Sequence, residues 1–156
     1  MTANTKIDPV DRKILHALQL DGRLSNRDLA DKINLSESPC LRRLRIMEQS
    51  GAISHYTAVL NAPALGLTFS AWVQITLDRQ AKDTVERFEE MIADVPEVMD
   101  MYLVTGSFDY LLRIVTTDLA AFEKLLRNVL LRVPYVAHLQ TNVVMNHVME
   151  RKTLPL

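Results

Sequence analysis

Past Pro63 the apolar pattern alternates between strand and helix periodicity, and that alternation constrains the fold more than any other feature. Phe69 to Leu77 is dense in aromatic and β-branched residues, with Trp72, Val73, Ile75 and Leu77, and reads as a strand. Val85, Phe88, Ile92 and Val95 then fall on one side of a helix that stops before Pro96, with Asp83 and Glu86 as an expected capping box. Val98 to Thr105 and Tyr110 to Thr116 read as two strands around a hairpin-sized loop, Gly106-Ser107-Phe108-Asp109. Asp118 caps a second amphipathic helix through Leu119, Phe122, Leu125, Leu126, Val129 and Leu130, and a last strand is expected from Val136 to about Met149. The order β-α-β-β-α-β is ferredoxin-like: two helices on one face of a four-stranded antiparallel sheet. The opposite face is expected to carry the alternate residues Trp72, Met99, Met101, Leu103, Val143 and Met145, an apolar surface that a second copy of the chain would cover.

Before Pro63 the pattern is helical. Asp8 and Pro9 announce a helix bearing Val10, Ile14, Ala17 and Leu18, stopped by Asp21-Gly22. Ser25-Asn26-Arg27-Asp28 reads as a capping box for a second helix with Leu29, Ala30 and Ile33 inside. After Asn34-Leu35-Ser36 comes a third, with Ser38 as expected N-cap, Pro39 at the first helical position, and Cys40, Leu41, Leu44 and Met47 on its apolar side. A turn this short between helices is the spacing of a helix-turn-helix rather than of a bundle. The expected class is α+β, with a helix-turn-helix (winged-helix-like) domain over 1–53, a linking strand or hinge over 54–66, and a ferredoxin-like assembly domain over 67–156.

Composition narrows what such a chain can do. Of 156 residues, 48% are apolar and 24% charged, which favours a packed globular protein over a disordered one. No apolar run approaches the roughly 20 residues that span a bilayer, and Met1 to Asp8 has no signal-peptide core, so a cytoplasmic protein without a membrane partner is expected. The single Cys40 allows no internal disulfide. The net charge of −1 hides an asymmetry: up to Leu60 there are nine Lys/Arg against seven Asp/Glu, and beyond it nine against twelve.

Within the basic half, Arg42, Arg43 and Arg45 crowd the third helix, with Ser36 and Ser38 at its N-terminal tip. A second helix so placed can enter the major groove of double-stranded DNA, where arginine pairs with guanine or phosphate and serines suit phosphate oxygens. The bland alternative is a solvated cationic face. In the acidic half, Gly106 permits a close backbone approach and Asp109 could hold an ammonium group, the alternative being an ordinary hairpin. His16, His55, His138 and His147 are scattered, and no HExxH, GxSxG or phosphate-loop spacing occurs. Neither a metal, a cofactor nor an enzyme activity is expected.

The motifs Asp11-Arg12-Lys13-Ile14-Leu15, Ser25-Asn26-Arg27-Asp28-Leu29, Leu35-Ser36-Glu37-Ser38-Pro39-Cys40-Leu41-Arg42-Arg43-Leu44, Gly51-Ala52-Ile53, Val104-Thr105-Gly106-Ser107-Phe108-Asp109-Tyr110-Leu111-Leu112 and Asn142-Val143-Val144-Met145 occur in order over nearly the whole chain. In them the chain resembles the leucine-responsive/asparagine-regulator (Lrp/AsnC, feast/famine) family of transcription factors. The resemblance implies a nucleoid-associated DNA-binding regulator that dimerises through its sheet, with four dimers forming an octamer. It adds Ser25, Asn26 and Pro39 to Ser36, Ser38, Arg42, Arg43 and Arg45 as DNA-binding residues. It also implies a small amino-acid effector, leucine, methionine or similar, held by Leu103, Thr105, Gly106, Ser107, Asp109, Leu119, Asn142, Val143 and Val144. Asn34 stands where the family often has glycine, and Asn142 replaces an aromatic residue seen in leucine-responsive relatives. The competing reading is an amino-acid-sensing module that regulates a partner protein.

Overall fold

The structure, a computed structural model, describes residues 7–78, 81–149 and 151–156. Met1 to Lys6, most of the stretch read above as lacking a signal core, lie outside the described residues. The chain forms two units: one runs through Val59 and takes in Val148–Leu156, the other is Leu60–His147.

The first unit is a three-helix head. Helix α1 (Pro9–Leu20) starts as its sequence dictates, with Asp8 as N-cap and Pro9 where a missing N–H costs nothing. Helix α2 (Asn26–Lys32) is capped by Ser25, whose Oγ accepts the Asp28 N–H at 3.1 Å. The turn that follows is a Schellman motif: the Leu35 N–H reaches the Ala30 carbonyl and the Asn34 N–H reaches that of Asp31. Asn34 has φ 57°, the left-handed conformation this motif requires and one that asparagine tolerates.

Helix α3 (Glu37–Gln49) has Ser36, not Ser38, as its N-cap. Pro39 therefore lies at the third helical position, equally permissible because none of the first N–H groups has an intrahelical partner. Ile14, Ala17, Leu29, Ala30, Cys40 and Met47 close the core between the helices. Cys40 is a packed small residue, and burial pushes its thiol up. Residues 54–66 contain no strand; Pro63–Leu65 form one 3₁₀ turn. The C-terminal segment returns to α1, where the Gln19 side-chain amide bonds both the N–H and the carbonyl of Leu154.

The second unit holds β1 (Phe69–Leu77), α4 (Lys82–Ala93), β2 (Val98–Leu103), β3 (Tyr110–Thr116), α5 (Leu119–Asn128) and β4 (Val136–Val143). The antiparallel sheet runs β2-β3-β1-β4. Asp118 caps α5, accepting the Ala121 N–H at 2.7 Å. The capping box expected at Asp83 is absent: Ala81 is the N-cap, and Asp83 lies in the first turn, where its charge meets the positive helix end. Strand β4 stops at Val143 because its partner β1 begins at Phe69; beyond it the Val144 N–H still reaches the Ser70 carbonyl. Ala71, Val73, Ile75, Leu112 and Ile114 pack beneath Phe88, Ile92, Phe122 and Leu125.

The register corrects the composition expected for the open face. Met101 lies opposite Leu112, Leu103 opposite Tyr110 and Val143 opposite Ala71, so these three point to the helix side. Met99 falls in an irregularity between Val98 and Asp100, and Met145 lies beyond β4. Trp72 does belong to the open face. It sits between Arg113 and Asn142, in a surface that also carries Tyr102, Gln74 and Leu111 and an Arg113–Asp100 ion pair. That face is mixed rather than apolar. Among the described residues no helix is long and apolar enough to cross a membrane.

Candidate nucleic-acid interface and effector site

On α3, residues 100° apart in angle cannot share a face, so three arginines in four positions must diverge. Arg42 and Arg45 are exposed, together with Ser36 and Ser38 at the helix tip. Pro39 is half-buried. Arg43 is turned inward: its Nη1 donates to Asp8 Oδ2 at 2.7 Å and to Asp11 Oδ1 at 2.8 Å. The Asp11 amide and then the Arg43 guanidinium hold the Asp8 carboxyl below its ordinary value, and the two carboxylates raise that of Arg43. The sequence reading missed Asp11, although an Asp-x-x-Asp at a helix start was a visible signal for a carboxylate pair in need of a cation.

The two other α2 candidates differ. Ser25 is exposed and engaged as a cap, its hydroxyl also donating to Asp28 Oδ2 at 2.6 Å. Asn26 is half-buried, and its Nδ2 donates to the Glu37 carbonyl at 3.0 Å, tying the start of α2 to the start of α3. An exposed cationic helix face, held by a second helix through a short turn, can approach the phosphates and base edges of a duplex.

The effector candidates fall into two groups within one chain. Leu103, Thr105, Gly106, Ser107 and Asp109 gather at the β2–β3 loop, beside the C-terminal end of β1. There the Asp109 N–H donates to the Ile75 carbonyl at 2.9 Å and Asp109 Oδ2 accepts the Leu77 N–H at 2.8 Å. Gly106 has φ 133°, open to glycine and strained for any other residue. Leu119, Asn142, Val143 and Val144 lie at the other end of β1, where Val143 pairs with Ala71. From Ala71 to Leu77 a strand rises about 20 Å at ~3.3 Å per residue, too far for one amino acid to bridge. Each group exposes an apolar side chain, Leu103 at 68% in the first and Leu119 at 61% in the second. Among the described residues no cluster of His, Cys, Asp and Glu could hold a metal ion.

Comparison with known proteins assigns these parts. Residues 70–154 match the Lrp/AsnC ligand binding domain, and residues 7–54 match a winged helix-turn-helix DNA-binding family. The chain belongs to the Lrp/AsnC family. It is 43% identical over 148 residues to the leucine-responsive regulatory proteins of Klebsiella pneumoniae and Escherichia coli K12, covering 95% of this chain and 90% of each relative. A transcriptional regulator of Neisseria meningitidis, solved as a complex with L-methionine, superimposes with a TM-score of 0.92 at 36% identity, covering 96% of this chain and 97% of the other. The feast or famine regulatory protein of Mycobacterium tuberculosis, also solved with L-methionine, gives 0.82 at 28% identity over 96% and 99%. This Lrp/AsnC chain is a DNA-binding transcriptional regulator with a ligand binding domain, and not an enzyme.

Proposed function

We propose that the chain regulates transcription as a homo-oligomer, dimers paired through the open sheet face and four dimers forming an octamer, with α3 in the major groove of a duplex. Arg42 and Arg45 supply the outward charge, and Ser36 and Ser38 meet phosphate near the N-terminus of α3. A small amino acid, methionine, leucine or similar, binds where the loop Thr105–Asp109 of one copy meets the Leu119 and Asn142–Val144 edge of another. The observation that carries this reading is the separation of the two candidate groups along β1, since either half of the lining is incomplete without a second chain. Methionine in the Neisseria and Mycobacterium relatives supports the ligand class. The open face retains Trp72, Tyr102 and Leu111 as the apolar part of a pairing surface. The setting is the cytoplasm, at the nucleoid.

Selection of genomic fragments on the purified chain, with and without a panel of amino acids, tests head and sensor together. Fragments should be retained, and the bound set or the assembly size should change with at least one apolar amino acid. Calorimetric titration with L-methionine and L-leucine then identifies the ligand. A chain that retains no fragments, or one whose binding and assembly ignore the whole panel, would reject the proposal.

A further inference from the structure

Arg43 sits in the middle of the helix proposed to read DNA, yet its charge is spent inside the head. Each carboxylate it meets is divided between two tasks. Asp8 Oδ1 accepts the Val10 and Asp11 N–H groups at 2.7 and 2.8 Å, while Oδ2 takes Arg43. Asp11 Oδ2 accepts the Asp8 N–H at 3.1 Å, while Oδ1 takes Arg43. The capping box of α1 and one nitrogen of α3 are therefore a single connected node. Among the described residues Asp11, 8% exposed, is buried with only Thr84 and Thr116 as other polar residues, and no basic side chain but Arg43 is paired with it.

This node has a geometric consequence. Only Cys40 and Met47 of α3 are fully buried, and seven residues apart they lie along one line of the helix. The half-buried Leu44 packs on one side of that line, but so narrow an apolar stripe resists rolling about the helix axis poorly. Arg43, about 60° around the helix from Cys40 on the side away from Leu44 and tied to α1, widens that footing. With side chains reaching about 5–6 Å from the axis, a roll of roughly 10° moves a guanidinium by about 1 Å. That is enough to spoil a bidentate hydrogen bond, whose donors must lie within a few tenths of an ångström.

We infer that Arg43, with Asp8 and Asp11, is a positioning residue for DNA recognition: it fixes the roll of α3 so that Arg42 and Arg45 face outward, and it does not itself touch DNA. The inference rests on the DNA-binding reading and specifies which arginines carry it.

The test compares Arg43→Gln, Arg43→Lys, Asp11→Asn and Arg42→Gln in the full chain. Each is titrated with a selected genomic fragment at several salt concentrations, at a temperature where circular dichroism shows it folded. Arg43→Gln and Asp11→Asn should each weaken binding roughly tenfold, the pair together no more than either alone, because both break one node. The slope of log K against log salt should stay at the unmodified value, whereas Arg42→Gln should make it shallower by about 0.9. Arg43→Lys should recover part of the loss. Removal of an acidic charge elsewhere near a duplex would strengthen binding, so a weaker Asp11→Asn is the distinguishing result.

The inference is overturned if Arg43→Gln flattens the slope as Arg42→Gln does. It is also overturned if folded Asp11→Asn binds as tightly as the unmodified chain. If Arg43→Gln does not fold, Asp11→Asn and Arg43→Lys decide. An unmodified chain that retains no fragment overturns the DNA-binding reading as well, whereas the other failures leave that reading intact.

Discussion

The head and the sheet unit are held together by different means. The sheet unit buries a continuous apolar layer, with Val73, Ile75, Leu112, Ile114, Phe88 and Leu130 all at 1% exposure or less, beneath two helices and across four hydrogen-bonded strands. Among the described residues the head buries half as many apolar side chains, seven against fourteen, several of them small, so it depends more on caps and on the Asp8–Asp11–Arg43 node. A thin core fastened by polar groups suits an element that must present a charged face. A thick core suits a ligand binding domain, which must keep its shape.

The largest expected effect separates the two units. Ile14 is fully buried in the smaller core, so Ile14→Ala should cost about 2–5 kcal/mol and unfold much of the head. The sheet unit should survive, with Trp72 fluorescence, which reports the sheet, melting at an unchanged temperature while the helical circular dichroism signal falls early. A single joint transition would show that the units do not fold independently.

Next come the caps. Asp118→Ala and Ser25→Ala each remove an N-cap acceptor and should cost about 1 kcal/mol. Calorimetry should show the same loss as a larger shift in the head transition than in the sheet transition, because the smaller unit unfolds with less entropy per cooperative step. Equal shifts would remove the contrast in size.

Acid should sharpen the contrast. Asp8 in the folded head is held below its ordinary value of 3.8, first by the Asp11 amide and then by Arg43. A carboxyl so lowered contributes stability above 3.8 and loses it as the pH falls through the folded value. As the pH falls below 3.8 helical signal should therefore be lost before Trp72 responds, and Asp8→Asn should abolish that order.

The smallest effect is alkaline. The Tyr56 phenol is pushed up to about 12 by partial withdrawal from water and by its 3.0 Å hydrogen bond to Glu48. Its contribution is complete below the ordinary value of 10.0 and lost as the pH rises toward the folded value. Tyr56→Phe should leave the head's melting temperature less dependent on pH in that range.

Much of this architecture was legible in the sequence because local chemistry dictates local structure. Asp8-Pro9, Ser25 and Asp118 mark helix starts, and Asn34 marks the left-handed turn. The strands β1 and β3 coincide with their β-branched runs. The misplaced features have separate causes. Pro39 is tolerated anywhere in a first helical turn, so it could not tell Ser36 from Ser38 as the cap. Met101 and Leu103 were set on the open face by counting alternate residues, but the irregularity between Val98 and Asp100 reverses the alternation.

The sequence by itself determined most of the helices and strands, their order, and the family they compose, because periodicity, caps and turn residues act over a few positions; the linking strand within 54–66 and the end of β4 were not among them. Only tertiary structure decided that Arg43 turns inward while Arg42 and Arg45 stay out, and that the two groups of candidate effector residues stand at opposite ends of β1. The roll of a helix and the register of a sheet depend on partners distant in the chain. A carboxylate 32 residues away from Arg43 leaves no trace in the local pattern around it.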